Sequence, residues 1–264
     1  MGREHVMTLP PTAPLSTTER VSRVLLAFNG ASQPLGVSEI ARSSSLSKAV
    51  VHRILQTLVQ THLIDYVEGD RKYRLGPASF ALGRQALRQS DLHAAALPVI
   101  SHLSALTGET TTLVQRSGHS RHYIDQMPGS DRIRISIRIG ESVPLWSGAS
   151  GLSILAFMDD SDVDYVLSGE RTAYNERTVT DADAIRRRLD EIRQRGWAHT
   201  AGERVRYSSS IAAPIFAVDG KPAGSLSVAF LADRMSDDRQ ELADLVVASA
   251  RDASNRLAKI ERGQ

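Results

Sequence analysis

Two hydrophobic periods divide this chain. From residue 19 to residue 58 apolar positions recur every three or four residues, whereas after residue 110 several stretches alternate every second residue between further helical runs. Val21, Val24, Leu25 and Phe28 predict a first helix over residues 19–28. Val37, Ile40 and Ala41 predict a second over residues 37–42, and Ala49, Val50, Ile54, Leu55 and Leu58 put a stripe on a third that begins after Leu46. Between them stand Ser43, Ser44 and Ser45, whose hydroxyls compete with helical hydrogen bonding and suit a corner. Ser47 is placed to cap the third helix. Helices this short need one another to close a core. The last of them is then free to be presented outward, and the major groove of DNA is wide enough to take it. Ordinary helical packing is the competing reading.

A hairpin follows. Tyr66, Val67, Tyr73 and Leu75 suit strands over residues 63–67 and 71–75, with Gly69-Asp70 in a tight turn between them. Three helices and a small hairpin make a winged helix-turn-helix. The wing carries Arg71, Lys72 and Arg74, placed to reach phosphates beside the groove.

The segment Ser47-Lys48-Ala49-Val50-Val51-His52-Arg53-Ile54-Leu55-Gln56-Thr57-Leu58, with Tyr73-Arg74-Leu75-Gly76 behind it, resembles the IclR family of bacterial transcriptional regulators. The resemblance runs from residue 19 to residue 257. It implies a winged helix for a double-stranded DNA operator, a GAF/PAS-like α/β effector-binding domain, and a homodimer or a dimer of dimers. Where the family often has Ser-Thr this chain has Ala49-Val50, so the contacts expected on DNA fall to Ser45, Ser47, Lys48, His52 and Arg53, with Arg71 and Lys72 from the wing.

The expected fold class is α+β in two domains. Residues 1–17, with Pro10, Pro11 and Pro14, read as a flexible tail, and residues 18–76 as the DNA-binding domain. Residues 77–90, with Phe80, Leu82 and Leu87, read as a linker helix, to which the resemblance adds dimer contacts. Residues 91–260 form the effector-binding and oligomerisation domain. In it a helix over residues 91–107 meets Pro98, which should kink it or start a new one. Strands are expected over residues 110–115, 119–125, 211–216 and 224–229, and helices over 180–196 and 236–260. Residues 132–139 look like the clearest strand of all: Ile133, Ile135, Ile137 and Ile139 alternate with Arg132, Arg134, Ser136 and Arg138. Its polar face is either solvated or set near an acidic ligand or partner.

Composition narrows the chemistry. There are 264 residues, 41% of them apolar, which is enough for real cores in one or two domains. The absence of cysteine excludes disulfides and thiolate chemistry and fits a cytoplasmic protein. No signal peptide and no run of 18 apolar residues is visible, so no membrane partner is expected. Residues 1–75 carry nine Lys and Arg against six Asp and Glu, and the rest carry 23 against 24, a mild bias towards anion contact at the front. His119 and His122 lack ligand partners at metal-binding spacing, and no metal or cofactor is expected. No nucleophile elbow, P-loop or G-x-G-x-x-G occurs, so an enzyme is the weaker alternative. It would rest on Glu203 beside Tyr207 and His199, where Glu203 reads equally as a pocket-edge charge. The stronger alternative is a ligand-sensing module that binds no DNA.

The effector site is read around Ser147-Gly148-Ala149-Ser150-Gly151, small residues that let a backbone approach a ligand, or that merely allow a tight helix junction. The resemblance usually places a lysine next; here Leu152 stands there. It also implies a pocket lined by Gly148 and Ala149, by Thr200 in the loop after Trp197, and by Ser210, with Ser208 adjacent. Trp146 and Tyr207 would add an aromatic wall. Hydroxyl donors without a carboxylate suit a small carboxylic acid effector, aromatic acids included. The competing reading is that the serines cap a bend and Tyr207 is core.

Overall fold

The computed structural model describes residues 15–233 and 239–264. The tail expected over residues 1–17 lies outside the described residues as far as residue 14, and Thr17 already belongs to the first helix. The chain forms two compact units that divide between Arg84 and Gln85.

The first unit holds α1 (Thr17–Leu26), α2 (Val37–Ser44) and α3 (Lys48–Gln60), then β1 (Ile64–Val67) and β2 (Lys72–Leu75). Serines cap α1 and α3, and at the start of α2 the Gly36 N–H donates to the Glu39 carboxylate at 2.7 Å. The Ser16 hydroxyl accepts from the Glu19 N–H at 3.2 Å, and the Glu19 carboxylate accepts from the Ser16 N–H at 2.7 Å. That main-chain hydrogen bond holds the Glu19 carboxyl below its ordinary pKa. Ser47 caps α3 as expected, accepting from Val50 N–H.

Two local expectations shift. The corner is tighter than three serines. Ser43 and Ser44 complete the last turn of α2 and donate back to the Ile40 carbonyl, leaving only Ser45 left-handed, with φ of 56°. The buried stripe of α3 is Val51, Ile54, Leu55 and Leu58, whereas Ala49 is exposed and Val50 half-buried. The 3-4 spacing from Val51 onward meets Val24, Phe28 and Ile40 in the core of this unit. The hairpin pairs Tyr66 with Tyr73 and Val67 with Lys72. Its turn is a 3-10 turn over Glu68–Asp70, and the left-handed residue is Arg71, with φ of 52°, not Gly69.

α4 (Pro77–Arg88) spans the division and buries none of its residues; Phe80 and Leu82 are well exposed. In the second unit, α5 (Asp91–Thr107) runs unbroken through Pro98. A six-stranded antiparallel sheet follows, in the order β5-β4-β3-β8-β7-β6: β3 (Thr110–Ser117), β4 (Ser120–Met127), β5 (Ser142–Pro144), β6 (Ala198–Ala201), β7 (Ser208–Phe216) and β8 (Pro222–Leu231). α6 (Ala149–Leu155), α7 (Asp160–Ser168) and α8 (Ala182–Arg195) cover one face, and α5 with α9 (Arg239–Glu261) the other. The helix expected from Ser236 is described from Arg239, residues 234–238 lying outside the described residues.

The faces of the sheet differ in size of side chain. Along β8, Leu226, Val228 and Phe230 enter the core against α5 and α9. Ser225, Ser227 and Ala229 point the other way. Pairing then aligns Thr200, Ser210, Ala229 and Thr110 in one row across four strands, and Ala198, Ala212, Ser227 and Thr112 in the next. Small side chains at Thr200, Ser210 and Ala229, with Ser227 from the next row, leave space above the sheet, whereas Ala198 and Ala212 pack into the core.

Residues 132–139 are not a strand. The segment runs through bends and irregular backbone without joining a main-chain ladder. The Gln126 side chain takes the place of a neighbouring strand: its Nε2 donates to the Ile137 carbonyl and its Oε1 accepts from the Ile137 N–H, both at 3.0 Å. The Thr110 hydroxyl donates to the Ile135 carbonyl at 2.7 Å. Ile135 and Ile137 are half-buried, while Ile133 is 70% exposed. The alternation read from the sequence belongs to a flap tied by side chains.

Candidate functional site

The space above the small-residue rows is a cavity of about 270 Å3. Its floor includes Thr200, Ser210, Ser227 and Ala229; the flap contributes Arg134, Ile135, Ser136 and Ile137; Gly148, Ala149 and Ser150 close one side. Tyr123, Glu203, Arg204, Val205 and Ser208 complete it. Of the residues expected here, Gly148, Ala149, Thr200, Ser208 and Ser210 are brought together. Thr200 sits in β6 and not in a loop, because its strand pairs with β7.

Trp146 and Tyr207 do not line the cavity. Tyr207 is 70% exposed in the turn before β7. Trp146 is buried and stacks on Tyr174 at 6.0 Å, and the Arg204 guanidinium lies 5.2 Å from the centre of that Tyr174 ring. The tryptophan therefore packs on the ring that the arginine lies over, instead of forming a wall. Glu203, Tyr207 and His199 form no acid-base cluster either: the Glu203 carboxylate accepts from Arg188 Nη1 at 2.8 Å and the His199 ring bonds Ser209 at 2.9 Å. Burial pushes the Glu203 carboxyl up against the pull of Arg188.

Gly148 adopts φ of 73°, a conformation that suits glycine, at the start of α6. A Cβ there would lie 3.3 Å from both Arg121 Nη2 and Arg204 Cδ. The Ala149 N–H donates to Thr200 Oγ1 at 3.1 Å. This bond fixes β6 to the start of α6. At the same end, Arg204 pairs with Glu141 at 2.9 Å, and its Nη1 donates to the Tyr123 hydroxyl at 3.3 Å. Burial pushes the Tyr123 pKa up, but the Arg121 and Arg204 charges, with side-chain hydrogen bonding to Ser150 and Arg121, bring the phenol below its ordinary value. Arg121, Tyr123 and Arg204 carried no sequence signal as a group. The Ser-Leu-Ser-Val-Ala-Phe alternation of residues 225–230, read only as a strand, is the signal that could have marked a floor of small side chains.

On the first unit, Lys48, Ala49, His52, Arg53 and Gln56 form an exposed stripe on α3 opposite its core face. Gln56 is an addition to the expected set. Ser45 and Ser47 are exposed at the corner before it. Arg53 makes no ion pair among the described residues; it borders a groove with Arg20 and Thr57, between α1 and α3. Arg71 is exposed and Lys72 half-buried in the wing, while Arg74 faces Asp65 across the hairpin at 3.7 Å. No helix among the described residues is long and apolar enough to cross a membrane.

Comparison with known proteins agrees with this division. Residues 17–68 match the IclR helix-turn-helix domain, and residues 84–255 match the C-terminal domain of the bacterial transcriptional regulator IclR. The HTH-type transcriptional regulator KdgR of Escherichia coli is 32% identical over 246 residues, covering 90% of this chain and 94% of its own. A putative IclR regulator from Silicibacter is 31% identical with a TM-score of 0.75, covering 92% of this chain and 96% of its own. An IclR homologue from Microbacterium hydrocarbonoxydans, solved in complex with 4-hydroxybenzoate, is 25% identical with a TM-score of 0.79, covering 94% of this chain and all of its own. With a winged helix-turn-helix, a cavity-bearing α+β domain and both domain matches in the expected order, this chain belongs to the IclR family of bacterial transcriptional regulators.

Proposed function

We propose that this chain is a cytoplasmic, homo-oligomeric transcription factor without catalytic activity, whose hold on its operator is set by a small carboxylic acid. The observation that carries the reading is the hydroxyl-lined cavity of about 270 Å3 with Arg204 and Tyr123 at one end. That size suits a small molecule and that polarity suits an acid. The complex of a relative with 4-hydroxybenzoate supports including aromatic acids. Gly148, Ala149, Thr200, Ser208 and Ser210 are its effector contacts. Lys48, His52 and Arg53 read the major groove, Ser45 and Ser47 steady the corner on phosphate, and Arg71 and Lys72 hold the backbone from the wing. Residues 18–76 are the DNA-binding domain and 91–260 the effector domain. The exposed Phe80, Leu82 and Leu87 of the linker helix, residues 77–90, supply dimer contacts. Paired heads then meet a pseudo-palindromic operator with half-sites about one helical turn apart.

The test is footprinting on the adjoining promoter with and without formate, lactate, benzoate and 4-hydroxybenzoate. A protected palindrome whose occupancy shifts with one of these acids is expected. A protein that protects no DNA would instead be a ligand-sensing module, and protection indifferent to every acid would remove the effector class. The wing gives a narrower result. Lys72→Gln should weaken binding to all duplexes alike and lower the salt slope by about 1. An unchanged slope in a titration from low to moderate salt would take Lys72 off the phosphate backbone.

A further inference from the structure

The most unusual group in the effector domain is not a lining residue. Arg121 in β4 is 0% exposed. Its Nη1 donates to the Pro144 carbonyl at 2.5 Å, and among the described residues its Nε and Nη2 meet no hydrogen-bond acceptor at bonding geometry. Among the described residues no carboxylate pairs with it. Its neighbours are Tyr123, whose ring centre lies 5.8 Å away, and the cation Arg204. An arginine keeps its charge under nearly all conditions, and a buried charge without a counter-ion is strongly unfavourable. The neighbourhood is built around it all the same: a Cβ on Gly151 would lie 2.3 Å from Arg121 Nη1 and 2.5 Å from the Leu145 carbonyl.

The unmet charge lies directly behind the cavity. A Cβ on Gly148, a lining residue, would lie 3.3 Å from Arg121 Nη2, so the guanidinium packs against that end of the pocket wall. The Tyr123 hydroxyl, also at the wall, sits between the two guanidiniums. The local balance is one-sided. Glu141 neutralises Arg204 and Arg188 neutralises Glu203; Arg134 of the flap is a further cation but is exposed to solvent, so among the described residues Arg121 is the buried cation here that no carboxylate pairs with.

We propose that Arg121 supplies, from behind the wall, the net positive charge that makes this pocket select anionic over neutral ligands. This rests on the cavity being the effector site. Arg121 is a positioning residue: it acts on the ligand through the field across Gly148 and by orienting the Tyr123 hydroxyl, without touching it. A bound carboxylate would be the counter-ion that the described residues do not supply.

The experiment titrates formate, lactate, benzoate and 4-hydroxybenzoate, each beside its primary amide, into full-length wild type, Arg121→Gln and Arg121→Lys. Glutamine retains a donor for the Pro144 carbonyl and removes the charge; lysine retains the charge. Wild type should bind at least one acid about tenfold or more tightly than its amide. Arg121→Gln should lose that preference with its amide affinity unchanged, and Arg121→Lys should keep most of it. A folded Arg121→Gln with the full preference overturns the role of Arg121 and leaves the effector reading standing. Wild type that binds neither acids nor amides overturns both. Wild-type melting supplies a reading that needs no variant. The acid should raise the melting temperature more than its amide does at equal concentration, and equal shifts would overturn the proposal.

Discussion

Thr200→Asp is expected to weaken every carboxylate that the pocket takes by about tenfold or more, and to leave the neutral amides nearly unaffected. Thr200 is 7% exposed, in the row of β6 that floors the cavity, and its hydroxyl already accepts from the Ala149 N–H. An aspartate can accept the same hydrogen bond, so the tie between β6 and α6 survives the change. What changes is the charge. Two like charges about 4 Å apart repel by about 4 kcal/mol at the effective dielectric of partly buried pairs. The nearby Arg204 and partial protonation of the new carboxyl reduce that, which is why tenfold is the floor of the effect. Calorimetric titration at fixed pH checks it, with a melting curve to establish that the variant folds. Equal carboxylate affinity in both proteins would remove Thr200 from the ligand.

The helix-turn-helix was legible because its elements are local. The 3-4 spacing and the Ser47 cap act within a few residues and placed α1 to α3, and the strand-forming and turn residues of 63–75 placed the wing. The error on α3 was one of phase. Val50 and Val51 are adjacent and equally apolar, and only contact with α1 and α2 decides that Val51 goes inside. Residues 132–139 failed for a different reason. Alternation follows from an extended backbone and says nothing about whether a neighbouring strand is there to bond it. Here the side chain of Gln126 supplies that bonding. Likewise β5 and β6, of three and four residues, are too short to show a period.

The pocket was half legible. Gly148, Ala149, Thr200, Ser208 and Ser210 come together because β6, β7 and the start of α6 do, and they were reached through a resemblance of motifs. Tyr123 and Arg204, 81 positions apart, meet only through the order of strands in the sheet. Tyr207 illustrates the converse. Its position next to the serines suggested a wall, but it lies in the turn before β7 and its side chain is 70% exposed. Aromatic character alone could not tell a pocket wall from an exposed turn.

Arg53→Ala is expected to lower operator affinity by about 1–3 kcal/mol and to change scrambled DNA much less, relaxing discrimination at one base position. Three observations support a contact with a base edge over a structural role. Arg53 is exposed on the stripe that also carries Lys48, His52 and Gln56. It makes no ion pair among the described residues, so no acidic partner holds it inward to stabilise the head. Ala49, one turn before it, is too small to reach a base, which leaves the long side chains on either side to do the reading. The guanidinium matches the two acceptors on the guanine edge, O6 and N7, as a planar fork. Arg20, across the groove between α1 and α3, is a second cation at the same end of the helix. A residual non-specific affinity after loss of Arg53 would therefore be no surprise. The measurement compares wild type and Arg53→Ala on operator and scrambled duplexes at one salt concentration, with melting curves for both proteins. A parallel loss on both duplexes would assign Arg53 to the phosphate backbone, and no loss on either in a folded variant would take it out of the interface.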